Sequence, residues 1–244
     1  MIVNGDAKAL EWVVGTYLSK DKVAYQEIWD EIDQHSDNQR VFLLPDRLTA
    51  KKFVFRLMYG GSAYSYANDP DFTHVSTSEK FWQKVIDKFY EKYKGFAEWH
   101  KSLLREVEKT GRLTLPTGRV YEYEYKRNFR GELELPQTII KNYPVQGLGA
   151  DVMSIIRVSF SKRFQRTISK NDGIIINTVH DSLVCDVKES EVDKVAKIFF
   201  EVFEDFPLNF QRVFKIPFDL PLRVEVSIGN NMKELTEIKK SDIL

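Results

Sequence analysis

Apolar positions alternate or recur along this chain in blocks that switch period several times. Met1 to Asp6 predicts a short strand ending at Asp6, after which Leu10, Val13, Val14, Tyr17 and Leu18 follow helical spacing. A polar stretch from Lys20 to Gln39 has mixed periodicity and predicts helix in part. Val41 to Asp46 leads into another helix, with Pro45 and Asp46 as entry signals and Gly60-Gly61 as the stop. From Glu79 to about Thr110, Phe81, Val85, Phe89, Phe96 and Leu103 mark one long amphipathic helix or a pair, ending at Gly111. Leu113 to Tyr125 alternates as a hairpin around Pro116-Thr117-Gly118, and residues 146–167 read as helical. Ile174 to Val179 and Leu183 to Val187 are β-rich runs separated by His180-Asp181-Ser182, a hairpin with an acidic tip. A helix over 189–204 and a strand over 222–228, carried by Val224, Val226 and Ile228, complete the pattern. The order is that of an α+β fold, an antiparallel sheet interrupted by a large helical insertion.

Composition adds little to the fold but narrows the chemistry. Of 244 residues, 43% are hydrophobic and 30% charged, which suits a folded globular protein. The one cysteine, Cys185, excludes an internal disulfide, and no Cys/His cluster suggests zinc. No apolar run approaches membrane-spanning length and the start has no secretory pattern, so a cytoplasmic protein is expected. Lys and Arg (36) balance Asp and Glu (36), which by itself argues against nucleic-acid binding unless the charges are segregated.

The helix after Pro45 is the most informative segment. Arg47, Lys51, Phe55 and Tyr59 stand four residues apart, so each lies roughly 6 Å further along the axis and about 40° around from the last. Two cations near a helix N-terminus followed by two aromatic rings suit a nucleoside triphosphate, with phosphates at one end and a base or sugar at the other. The same spacing also describes an ordinary amphipathic helix with solvated cations and core rings. Asp6 and Asp181, each at a strand end or turn, are likewise compatible with simple turn roles.

Taken in order along the chain, these segments resemble the motifs of family A DNA polymerases. Arg47, Lys51 and Tyr59-Gly60 resemble motif B; Asp6 followed by Glu11 resembles motif A; Val179-His180-Asp181 resembles motif C. Asn142-Tyr143-Pro144-Val145-Gln146-Gly147 resembles the family's Asn-x-Pro-x-Gln-Gly segment before its long palm helix, and Leu222 to Gly229 resembles its closing strand. The resemblance implies a palm over residues 1–25 and 111–244, with the hairpin near 173–187 and the last strand near 222–228. Helical fingers would occupy 26–110, with the nucleotide-binding helix near 46–59. No thumb or exonuclease is recognisable, so a split or truncated polymerase is expected, with a second polypeptide supplying the thumb, with or without the exonuclease.

By the same resemblance, Asp6, Asp181 and the backbone carbonyl of Ala7 would hold two Mg²⁺ ions, hard cations that favour carboxylate and phosphate oxygens. Arg47, Lys51 and His35 would hold the triphosphate of the incoming dNTP. Phe55 would pack on its sugar and base, Tyr59 would lie at the templating pair, and Glu11 would exclude a 2′-hydroxyl. His180 would contact the primer end, with Gln146, Asn142 and Arg119 on the primer-template DNA. For His35 and Arg119 an ordinary surface role is an equal alternative. Val13, Thr138 and Ser182 depart from the commonest family residues, Arg, Arg and Glu. A single-subunit RNA polymerase is the runner-up, disfavoured by the presence of Glu11 and Phe55. A catalytically idle DNA-binding or assembly subunit is the rival from another class. The setting implied is the cytoplasm of a bacterial or phage-infected cell.

Overall fold

A computed structural model describes residues 1–127 and 131–243. In chain order, β1 (Ile2–Ala7) leads into α1 (Leu10–Ser19), α2 (Lys22–Trp29), α3 (Gln34–Phe42) and α4 (Arg47–Met58). Two short helices, α5 (Ala63–Ala67) and α6 (Pro70–Thr73), precede α7 (Glu79–Lys92) and α8 (Lys94–Thr110). Small hairpins follow, formed by β2 (Arg112–Thr114) with β3 (Val120–Glu122) and by β4 (Lys126–Arg127) with β5 (Leu133–Glu134). Then come α9 (Gln137–Thr167), β6 (Gly173–Val179), β7 (Ser182–Val187), α10 (Val192–Glu204), α11 (Phe206–Phe214), β8 (Val224–Gly229) and β9 (Thr236–Ile238). The α+β class expected from the pattern is the class observed. The chain divides into two compact units, Met1–Val13 with Leu148–Leu244, and Val14–Gly147.

In the first unit β1 is the middle strand of an antiparallel sheet ordered β6-β7-β1-β8-β9. Side chains alternate across a sheet, and along β1 Val3, Gly5 and Ala7 are buried while Ile2, Asn4 and Asp6 are only partly so. The buried face packs on α10, whose Val195, Phe199 and Val202 form one apolar stripe. Phe199 stacks on Phe160 of α9 at 4.2 Å between ring centroids. Its ring also lies against Gly5, where a Cβ would come within 2.3 Å of it, so only glycine fits beneath this ring. Burying each such phenylalanine stabilises the unit by about 1.5–3 kcal/mol. The opposite face carries Asn4, Asp6, Ser182 and Glu225 alongside the apolar Ile2 and Val184.

The second unit is helical around an aromatic core that includes Phe42, Phe53, Tyr66, Phe72, Trp82 and Phe89. The polar atoms of its rings are satisfied: Tyr66 donates to the Phe53 carbonyl and Trp82 to that of Ser76, both at 2.8 Å. Beside it Lys92 donates to Glu27, Asp37 and Asn38, each at 2.8 Å, tying α7 to α2 and α3. Aspartates at 21, 33 and 46 cap α2, α3 and α4, satisfying backbone N–H groups that have no helical acceptor.

Several sequence expectations need adjustment. The segment from Glu79 to Thr110 is a pair of helices, broken at Tyr93. The polar stretch before Gln39 holds α2 and the start of α3. The Asn142 to Gly147 segment does not precede the long helix but lies inside it, because α9 begins at Gln137 and carries Pro144 in its interior. Proline removes one helical donor and clashes with the preceding turn, so the sequence reads as a helix boundary there. The short α5, α6, β4, β5 and β9, and the nine-residue α11, were not expected.

Candidate active site

In the first unit, three strands bring acidic and polar side chains to one face. Asp6 pairs directly with Ser182 on β7 and with Glu225 on β8, and directly paired residues share a face. The Ala7 N–H donates to the Asp181 carbonyl at 3.0 Å, which sets the two aspartates on hydrogen-bonded ends of neighbouring strands. Both are partly exposed. The β6–β7 turn that carries Asp181 is tight. His180 has φ 51°, a left-handed conformation uncommon for a residue with a side chain, and the Ser182 hydroxyl donates to the Val179 carbonyl at 3.0 Å to close the turn. His180 itself is exposed. Glu11 lies in the first turn of α1, which Ala9, at φ 51°, starts abruptly after the strand.

The chemistry of the donor set can be judged against a hard divalent cation. Among the described residues no group of three or more His, Cys, Asp or Glu side chains is gathered for a metal. Two aspartates stand on hydrogen-bonded ends of neighbouring strands, however, and Mg²⁺ typically takes one or two carboxylates and completes its shell with substrate phosphates and water. The pair at Asp6 and Asp181 fits that requirement. Glu225, unremarkable in the sequence as one polar position in an alternating strand, is a further acid that strand pairing places opposite Asp6. It forms an ion pair with Lys8 at 3.4 Å.

In the second unit the stripe on α4 is assembled with α3. Asp33 accepts from Arg47 twice, from Nε at 2.7 Å and from Nη2 at 3.1 Å, which keeps its carboxyl well below the usual carboxylate range. His35, two residues on, is 7% exposed and its ring lies 5.7 Å from that of Phe55. Burial first, then the Arg47 and Lys51 cations, push its pKa down to about 4, so it is neutral at physiological pH. Lys51 Nζ is 5.9 Å from the Phe55 ring centroid. Its neighbours Lys52 and Arg56 are engaged by Asp71 and Asp69, whereas Lys51 is exposed and makes no ion pair among the described residues. Thus His35, Arg47, Lys51 and Phe55 do come together, on two helices whose first turns adjoin.

Tyr59 caps α4 at its C-terminus, and its hydroxyl accepts from Gln146 Nε2 at 3.2 Å. Asn142 and Gln146, four residues apart on α9, share a face of that helix. The β2–β3 hairpin rests on the same turn: a Cβ on Gly147 would come within 1.9 Å of the Tyr121 hydroxyl and 3.0 Å of Arg119 Cδ. Glycine at 147 therefore allows Arg119 to approach the end of the Asn142–Gln146 turn. A cavity of about 800 Å³ lies along α4, lined by Lys51, Phe55, Tyr59, Ser62 and Phe72 among others.

Comparison with known proteins is consistent across sequence and structure. The sequence profile of DNA polymerase family A matches residues 1–234. DNA polymerase I of Caldicellulosiruptor bescii is 27% identical over 246 aligned residues, covering 96% of this chain and 27% of that protein. DNA polymerase I of Pseudomonas aeruginosa is 26% identical over 96% of this chain and 25% of its own length. The DNA polymerase of Bacillus phage SP01 is 26% identical over 81% of this chain. The chain thus spans about a quarter of the length of the curated relatives it matches. The polymerase domain of Pol1 from M. smegmatis, solved with DNA primer-template and dNTP, has the same fold, with a TM-score of 0.76 at 21% identity over 93% of this chain and 39% of that one.

Proposed function

Since this chain belongs to DNA polymerase family A, we propose that it carries out template-directed DNA synthesis, transferring a nucleotide from a dNTP to a primer 3′-hydroxyl and releasing pyrophosphate. The observation that carries this reading is the placing of Asp6 and Asp181 on adjoining strand ends, where the Ala7 N–H donates to the Asp181 carbonyl. Their carboxylates, with the Ala7 carbonyl, would hold two Mg²⁺ ions. When bound, magnesium would supply acidification of the 3′-hydroxyl and neutralisation of the triphosphate.

The remaining roles belong to the chain's own side chains. Arg47 and Lys51 bind the triphosphate as cations at and after the first turn of α4, and neutral His35 donates a hydrogen bond to it. Phe55 holds the sugar and base by packing, and Tyr59 stands at the templating pair, oriented by its hydrogen bond from Gln146. Glu11 excludes a 2′-hydroxyl. His180, projected from a strained turn, contacts the primer terminus, while Asn142 and Gln146 contact the primer-template duplex in its minor groove and Arg119 lies near the primer strand. Two features support a second polypeptide that completes the hold on DNA. One is the zero formal net charge. The other is the apolar strip of Ile174, Ile176 and Val179 exposed on the edge strand β6.

The deciding experiment is incorporation of labelled dNTP into a primed template with Mg²⁺, with and without a candidate partner chain, for the native sequence and for Asp181→Asn. Metal-dependent, template-directed extension that the substitution removes is the expected result. Extension unaffected by Asp181→Asn, or no extension under any condition, refutes the assignment.

A further inference from the structure

We infer that Asp33 is a positioning residue for Arg47, clamping one edge of its guanidinium so that the other edge is presented, already ordered, to the triphosphate of an incoming nucleotide. This rests on the triphosphate-binding role proposed for Arg47.

Asp33 is fixed before it meets Arg47. As N-cap of α3, its Oδ1 accepts from the backbone N–H of His35 at 3.1 Å and of Ser36 at 3.4 Å, and its Oδ2 accepts from the Ser36 hydroxyl at 2.7 Å. Arg47 then adds its two charge-assisted bonds, one to each carboxylate oxygen, from Nε and Nη2. An isolated surface ion pair contributes little, since two long side chains must be ordered to make it. Here the acidic partner is short and held by its own helix, so only the arginine is ordered. That ordering is needed in any case for phosphate recognition, and a fork already fixed loses less freedom when the ligand arrives.

The geometry leaves a recognition edge. Guanidinium has five N–H donors; Asp33 takes two, and both hydrogens of Nη1 and one of Nη2 are left for other oxygens. The Arg47 side chain is 55% exposed despite the clamp. The carboxylate also places this edge beside His35, because the same cap that grips Arg47 starts the turn on which His35 stands. Lys51 follows one turn later on α4. A single aspartate therefore sets two of the three groups assigned to the phosphates.

The opposite role is possible for such a pair: Asp33 could compete with the phosphates for Arg47. The two roles predict opposite signs. In Asp33→Asn the side-chain oxygen still caps α3, since asparagine is as good an N-cap as aspartate, but the charged two-point clamp is lost. The test is a fluorescence titration of the full chain, with Mg²⁺ and primer-template, against mant-dATP and mant-dAMP. Expected is weaker triphosphate binding by about tenfold, the scale of one charge-assisted hydrogen bond, with monophosphate binding within about twofold of native. In an Arg47→Ala background, adding Asp33→Asn should change nothing further. If Arg47→Ala weakens triphosphate binding but Asp33→Asn leaves it unchanged, or strengthens it, the positioning role is overturned while the assignment of Arg47 stands. Equal losses for triphosphate and monophosphate, or a full loss on Asp33→Asn in the Arg47→Ala background, reveal a general structural role and also overturn it. If Arg47→Ala itself has no effect, or the native chain binds no mant-dATP, the triphosphate site fails and the inference with it.

Discussion

Asp6 and Asp181 differ from most aspartates at turns in that backbone pairing makes their spacing rigid: the strand ends that carry them are joined by a hydrogen bond of 3.0 Å. Asp6→Asn or Asp181→Asn should leave the fold intact, because each side chain is partly exposed, and should lower nucleotide addition by about 10³-fold or more through loss of charge stabilisation in the transition state. Rapid-quench extension alongside a thermal melt checks both halves of this expectation. On the proposed reading, sugar selection also rests on single side chains. Glu11→Gly should admit ribonucleotides, and Phe55→Tyr should improve use of dideoxynucleotides by supplying a hydroxyl where the 3′-hydroxyl is missing. Competition assays of rNTP or ddNTP against dNTP measure each, and unchanged ratios would remove Glu11 or Phe55 from the sugar site.

At the scale of elements, strand β1 depends on how closely helix α10 approaches it. Phe199 occupies the space above Gly5, one residue before Asp6, so Gly5→Ala must push the ring or the strand away. A cost of about 1–3 kcal/mol is expected from such overpacking, read as a lowered denaturant midpoint and largely relieved by adding Phe199→Leu. A second element-level expectation concerns acid. His100 on α8 is 3% exposed, bonded to the Tyr90 hydroxyl at 3.0 Å, and burial pushes its pKa from 6.5 down to about 3. The unfolded chain therefore binds a proton more tightly than the folded one between about pH 6.5 and 3. Stability contributed by the neutral ring is complete above that window and is lost as pH falls through it, by roughly 1.4 kcal/mol for each unit. His100→Gln, which keeps a hydrogen-bonding amide but does not titrate, should flatten the pH dependence of the melting midpoint there. An unaltered profile would show that His100 does not govern it.

For the whole molecule, charge is the main constraint on binding DNA. With 36 basic residues balanced by 36 acidic ones, the chain has no net positive charge to draw it to duplex phosphates. The chain alone is expected to bind primer-template with a Kd of about 10⁻⁴–10⁻⁶ M at near-physiological salt and with a shallow salt dependence. Anisotropy titrations over a range of salt test this, and nanomolar binding with a steep slope would show a duplex clamp within these 244 residues.

How far the sequence reached depended on the range of the interaction. Strand and helix periods are local, so the acidic hairpin, the α4 stripe and the closing strand could be read directly, and motif order along the chain pointed to the family. Helical spacing alone puts Arg47, Lys51, Phe55 and Tyr59 on one stripe. Strand pairing and side-chain direction are not local. That Asp6 lies between Ser182 and Glu225 follows from register across strands more than 170 residues apart in the chain, and no period reports it. The Asp33 clamp on Arg47 spans 14 residues and two helices, so it has no signature beyond an acid near a histidine. The start of α9 was misplaced because Pro144 and two nearby glycines oppose helix by local propensity, while tertiary packing overrides them: Val145, Leu148 and Val152 are buried. What the sequence by itself determined was which chemical groups are present and which of them ride on a common element. Tertiary structure decided which groups meet, because burial, strand register and side-chain hydrogen bonds are settled between elements rather than within them.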